Sequence, residues 1–315
     1  MALVPANTMA FSDYSRCCRT AFGSMHKNPD SEAAGTLIDF RSPYLSVGRC
    51  RHGLMVWPKN DQIIGRALDL YGEFAEGENQ ILVKYAKQGD TVIDVGANLG
   101  TATLPMSAAV GLSGEVLAFE PQPFICQCLL TNLTLSHCFN VRHFASALGA
   151  APGWATMQVP KQGEPYNYGA VSIGEGGLSV PVLSLDDLNL ERCNLIKIDV
   201  EGFEWQVMQG ARETIRRFSP VLYFEAKRAA GTVYCLQWLI AQGWRCYWHF
   251  AFFFHGLNFR GNRQNVFPGV GDMNVLALPP GVDPCIELPL IADPEEDWRQ
   301  VYQLFFTAPG RTLPQ

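Results

Sequence analysis

The stretch DTVIDVGANLG, Asp90 to Gly100, constrains this chain more than any other. Thr91, Val92 and Ile93 run into an acid, Asp94, and the chain then turns through two glycines four apart, Gly96 and Gly100. A buried strand that feeds a glycine turn and then a helix is the opening unit of an open α/β sheet.

The rhythm downstream agrees. Apolar runs at 91–95, 114–120, 140–148, 194–200 and 220–226 alternate with helical patterns at 99–111, 123–136, 204–218 and 233–243. Continuous apolar strands separated by helices imply a parallel sheet covered on both faces. The last two strands, at 244–250 and 273–279, have no helix between them, so the final one should run antiparallel. Upstream, PYLSVGRCRHGLMVW reads as a hairpin, and residues 61–89 read as one or two helices. The segment 154–188 is less regular, with hairpin-like pieces. The expected organisation is an N-terminal extension with a hairpin (1–59), a core domain (60–282) and a C-terminal tail (283–315), with residues 1–35 irregular.

A dinucleotide fold would show Gly-x-Gly-x-x-Gly at the first turn. Here Asn98 replaces the middle glycine. Glu120 ends the second strand twenty residues after Gly100, where an acid can accept hydrogen bonds from both ribose hydroxyls of an adenosine. Asp94, an acid in place of a further glycine or a lysine, favours a ligand with a positive group over a pyrophosphate. S-adenosylmethionine carries a sulfonium and an ammonium, and there is no phosphate loop ending in Gly-Lys-Ser/Thr.

The run VIDVGANLGTATL, GEVLAFEPQP, ASALG, IKIDVEGFEWQVMQGA and PVLYFE, with LYGEFAEGE upstream, closely resembles the FkbM-type S-adenosylmethionine-dependent methyltransferases from about Tyr71 to Glu225. The resemblance implies a Rossmann-like class I methyltransferase fold: a mostly parallel seven-stranded sheet with an antiparallel last strand. It implies methylation of a hydroxyl on a sugar or secondary metabolite, with S-adenosylhomocysteine as product. By the same resemblance Asp94, Gly96, Ala97, Asn98, Gly100 and Thr101 frame the methionine part of the cofactor, and Glu120 and Pro121 hold the ribose. Ser146 and Ala147 lie near the adenine, and Tyr71 and Glu73 close over the methionine end. The acceptor is not implied, because the resemblance fades before residue 60 and after about 230.

Ligands of an open parallel sheet sit beyond the carboxyl ends of its strands. Asp199, Glu201 and Glu225 stand there; Asp199 could instead contact the cofactor, Glu201 could cap the helix beginning at Gly202, and Glu225 could pair with Lys227 or Arg228. Asp199 or Glu201 is the expected general base, with Glu225 positioning the substrate. A magnesium ion on Asp199 and Glu225 is a weaker alternative, since no third ligand is evident. His249 and His255 sit in an aromatic run and read mainly as packed or strand-end hydrogen-bonding residues, with the general base as the alternative. Arg260 and Arg263 read as a solvated loop or a lip that grips the acceptor, and NYGAVSIGEGG as a plain loop or a lid.

Composition narrows the partners. A net charge of −6 argues against nonspecific binding to nucleic acid, which needs an excess of lysine and arginine. Ten cysteines without metal-ligand spacing suit reduced, mostly buried thiols in a cytoplasmic protein. No signal peptide pattern opens the chain, and the aromatic stretch CYWHFAFFFHG is too short to span a membrane. The expected partner is a small-molecule or glycan acceptor, and the aromatic residues after 230 could form a homodimer surface. N-methylation, a NAD-dependent oxidoreductase and a scaffold protein with a degenerate pocket are the competing readings.

Overall fold

The structure is a computed structural model and describes residues 42–160, 163–174, 176–226 and 230–301. All of them belong to the compact unit Gly35–Gln315. The expectation for residues 1–35, and the pairing of Glu225 with Lys227 or Arg228, lie outside the described residues.

The core is a seven-stranded sheet. Its strands are β3 (Thr91–Val95), β4 (Glu115–Phe119), β5 (Val141–Phe144), β9 (Leu195–Ile198), β10 (Val221–Glu225), β11 (Arg245–Phe252) and β12 (Gly271–Leu278). They lie in the order β11-β12-β10-β9-β3-β4-β5. β3, β4, β5, β9 and β10 are parallel, and β12 inserts antiparallel between β10 and β11. This is the doubly wound sheet with an antiparallel last strand that the sequence predicts. β3 is buried at every position, as a central parallel strand must be.

Seven helices flank the described sheet: α1 (Ile64–Tyr71), α2 (Glu76–Tyr85), α3 (Thr103–Val110), α4 (Pro123–Leu135), α5 (Glu204–Gln209), α6 (Arg212–Phe218) and α7 (Ala230–Ala241). The hairpin β1 (Leu45–Cys50) and β2 (Gly53–Pro58) lies against α4, where buried Asn132 accepts from Val56 N and donates to Val56 O. No helix among the described residues is long and apolar enough to cross a membrane.

Two expected elements divide. The run 140–148 breaks after Phe144, and β6 (Ala147–Leu148) leaves the main sheet. It joins β8 (Leu178–Leu183) and β7 (Gly153–Met157) in a small second sheet of order β6-β8-β7. The helix expected over 204–218 breaks at Gly210, where an added Cβ would stand 1.9 Å from the carbonyl oxygen of Gly149. Ser184 Oγ and Asp186 N both donate to the Gly210 carbonyl, which fixes the break.

The thiols behave as expected where described. Cys50, Cys126, Cys128, Cys193, Cys235 and Cys246 are free and buried, while Cys285 is exposed. Burial pushes the Cys128 and Cys193 thiols up to about 12, so they serve as small apolar groups.

Candidate active site

The turn after β3 is shaped by three residues in the left-handed region. Gly96 has φ +78°, Asn98 +47° and Gly100 +88°. At Gly96 an added Cβ would fall 1.8 Å from the Asp199 carbonyl oxygen, so the turn presses against the end of β9 where only glycine fits. Asn98 tolerates the left-handed conformation that the usual middle glycine would supply. Helix α3 therefore begins at Thr103, four residues later than the apolar pattern suggests. Gly100 faces the core instead, and an added Cβ would meet Leu129 and Leu104.

Glu120 locks this turn to the tip of β4. It is 2 % exposed and accepts from Asn98 N at 2.9 Å and Gln122 N at 2.8 Å. Burial pushes its carboxyl up to about 7, against the pull of those two hydrogen bonds.

A slot of about 60 Å³, open to solvent at its mouth, runs along these strand ends. Gly96, Asn98, Glu120, Pro121, Ser146, Ala147, Asp199 and Glu201, all expected from sequence, line it together. Ile64, Phe119, Gln122, Leu148, Met157 and Val171, none of them expected from sequence, also line it. Gln122 alone had a readable cue, its position two residues after the acid. Ser146 Oγ and Gln122 Oε1 are buried in the slot wall without a hydrogen-bond partner. Such atoms demand a polar ligand edge.

The mouth is crossed by the 163–174 segment. Tyr168 O accepts from Gln122 Nε2 at 2.9 Å, and Ser172 Oγ donates to Glu201 O at 3.2 Å. One end is anchored by Tyr166 N to Asn60 O and the other by Gly174 N to Thr156 O. This part of the glycine-rich stretch is a strap over the slot.

Other expected site residues stand elsewhere. Ala97 and Thr101 do not line the slot. Tyr71 is fully buried; its hydroxyl donates to Gln264 O and accepts from Val266 N. Glu73 takes hydrogen bonds from Arg51 Nε and Phe259 N, both at 2.7 Å, and so braces the hairpin turn against the 253–267 loop. Arg260 caps the carboxyl end of α1 through Leu68 O rather than forming a lip, and Arg263 is exposed. His249 is buried, 2.7 Å from the Tyr223 hydroxyl, and burial lowers it to about 4.

Asp94 does not supply the slot's negative charge. It is fully buried, accepts from Thr103 Oγ1 at 2.6 Å and lies 3.3 Å from Lys197 Nζ. Lys197 also donates to Gly96 O at 2.9 Å and stands 3.7 Å from Asp199. Burial alone would lower this lysine, but Asp94, Asp199 and Glu78 together hold it above its usual range. The buried ion pair thus fixes the turn.

Asp199, Glu201 and Glu225 each place a carboxylate oxygen within 4.8 Å of the others. Glu201 is thus the third oxygen ligand that sequence did not reveal for a divalent cation, although such clusters are common without one. Three carboxylates this close favour a shared positive charge, either a proton or a cation.

The sequence is similar to known methyltransferases. Residues 94–245 match the methyltransferase FkbM domain model. The hexuronic acid methyltransferase AglP of Haloferax volcanii is 27 % identical over 165 residues, covering 50 % of this chain and 64 % of that protein. Methyltransferase 1 of Beauveria bassiana is 28 % identical over 143 residues, covering 38 % of this chain and 57 % of that protein. The chain therefore spans less than two thirds of either relative's length. A crystal structure of a methyltransferase FkbM from Methylobacillus flagellatus superposes with a TM-score of 0.41 at 16 % identity, covering 59 % of this chain and 43 % of that one. Residues 94–245, just under half of the chain, carry a methyltransferase FkbM domain.

Proposed function

We propose that this protein is an S-adenosylmethionine-dependent O-methyltransferase whose acceptor is a sugar or secondary-metabolite hydroxyl. The observation that carries the reading is the slot itself. Its ribose-facing acid, Glu120, is pinned by two backbone donors, and two unpartnered polar atoms, Ser146 Oγ and Gln122 Oε1, sit where an adenine edge would lie. These residues fit an adenosine. When bound, S-adenosylmethionine supplies an electrophilic methyl group on a sulfonium.

The chain's own residues do the rest. Glu120 takes the ribose hydroxyls, and Gln122 and Ser146 read the base. The Gly96 turn, held by Lys197, fixes the ligand's depth in the slot. Holding the acceptor oxygen in line supplies most of the acceleration. The cluster of Asp199, Glu201 and Glu225 takes the hydroxyl proton as the bond forms. AglP, a hexuronic acid methyltransferase, supports a sugar acceptor. The same carboxylates would also attract an ammonium, so N-methylation of an amine is the second reading.

Isothermal titration calorimetry with S-adenosylmethionine, S-adenosylhomocysteine and NAD, beside Glu120→Ala, tests the cofactor. Binding of the first two, weakened in the variant, is expected. Binding of NAD alone refutes the proposal. Matched alcohol and amine acceptors, screened with labelled methyl donor, then separate O- from N-methylation.

A further inference from the structure

We infer that Glu204, the first residue of α5, is a positioning residue: it sets the Glu201 backbone so that the Glu201 carboxylate joins those of Asp199 and Glu225. The inference rests on the acceptor reading above, in which that cluster takes the hydroxyl proton.

The chain leaves β9 after Ile198 and enters α5 at Glu204. Between them it turns through two left-handed residues, Glu201 at φ +56° and Gly202 at φ +99°. Glycine adopts this region freely, but a residue with a side chain does so at a cost. Such a conformation persists only where its surroundings over-determine it. Here they act on one peptide after another. Asp199 N donates to Val95 O at 3.0 Å, and the Asp199 carbonyl presses on Gly96. Ser172 Oγ donates to the Glu201 carbonyl at 3.2 Å. The amides on either side of Glu201 both donate to a single oxygen, Glu204 Oε1, from Gly202 N at 3.0 Å and from Val200 N at 3.4 Å.

Glu204 is 1 % exposed, so its grip is sheltered from competing water. A helix cap serves the first N–H groups of its own helix. Glu204 instead reaches back to amides that precede α5. The side chain that this grip places is Glu201, whose carboxylate comes within 4.8 Å of those of Asp199 and Glu225. Asp199 and Glu201 also line the slot, whose wall holds the buried, unpartnered Ser146 Oγ, so cluster and slot share one edge.

Glu204→Gln keeps an accepting oxygen and Glu204→Ala removes it. Crystal structures should show Glu201 left-handed and beside Asp199 and Glu225 in the wild type and Glu204→Gln, and turned away in Glu204→Ala. Methyl transfer from labelled S-adenosylmethionine is measured with the acceptor that the alcohol and amine screen yields. Glu204→Ala should lower kcat about 100-fold while its S-adenosylhomocysteine affinity stays within about threefold, and Glu204→Gln should stay within about threefold in both. If Glu204→Ala does not fold, Glu204→Asp, which keeps the charge but draws the oxygen back, replaces it with the same expected loss of kcat. A variant that loses thermal midpoint but not kcat, or that leaves Glu201 in place, reduces Glu204 to a structural brace and overturns the assignment. So does an equal loss of kcat in Glu204→Gln, which would mean that the charge matters and not the accepting oxygen. If the wild type binds no adenosyl ligand or methylates no acceptor, the functional reading above fails on its own, and the position of Glu201 in the variant structures decides whether Glu204 sets it.

Discussion

Glu120 makes the affinity of the slot depend on pH, and 5′-methylthioadenosine isolates the effect because it has no amino-acid end. In the free protein the buried Glu120 carboxyl loses its proton only near pH 7. Ribose hydroxyls donate to the ionised form, so the bound state favours the carboxylate. A raised free-state value means that binding is full above pH 7 and weakens as pH falls through it. If the ribose returns the group from about 7 to its ordinary 4.5, the linkage is worth about 3 kcal/mol over the whole range, at 1.36 kcal/mol per unit. Between pH of about 7 and about 5.5 the dissociation constant should rise about 15-fold, the slope approaching tenfold per unit only below about pH 6.5. Calorimetric titrations at stepped pH measure it directly. Glu120→Gln should bind weakly at every pH with no slope, since its amide also meets the Asn98 or Gln122 N–H donor. A wild-type affinity that stays flat across this window would refute the reasoning.

Further outcomes follow from the same geometry. Gly96→Ala should cost about 3 kcal/mol or more in denaturant unfolding and abolish ligand binding, because the new methyl meets the Asp199 carbonyl at a left-handed φ. Glu225→Gln should lower kcat by about 100-fold while the S-adenosylhomocysteine affinity stays within about twofold, as expected of a group that serves the acceptor. Ser146→Ala should weaken 5′-methylthioadenosine binding by about 10-fold with little change in thermal midpoint, since its hydroxyl has no partner in the protein. His249, lowered by burial to about 4, contributes stability that is present above its ordinary 6.5 and lost as pH falls toward 4, in total about 3 kcal/mol. Urea unfolding of His249→Asn at stepped pH should show a shallower acid loss; an identical slope removes His249 from the account.

The parallel strands were readable because burial on both faces leaves an unbroken apolar run, and TVIDV coincides with β3 residue for residue. Glu120 was readable for a related reason: strand length and the glycine turn together fix where β4 ends. The division of 140–148 was not readable, since FASAL has one pattern whether it pairs with β4 or crosses to β8. The break at Gly210 depends on Gly149, sixty-one positions earlier, so nothing local announces it. Charge was the hardest to read. Asp94 looks like a ligand acid until Lys197, two strand residues before Asp199, is seen to answer it. Glu78 carries no cue in the sequence, yet the fold buries it. Sequence spacing reports which face a residue occupies, and only the tertiary structure reports which charges share that face.

Gln122 joins functions that the chain keeps apart elsewhere. Its backbone N–H steadies Glu120, its amide nitrogen holds the strap at Tyr168, and its amide oxygen points into the slot. An occupant that engages the oxygen thereby also tensions the strap. The consequence is kinetic: escape of spent ligand and loosening of the Tyr168 tether become one event, and turnover should be paced by departure rather than by bond making.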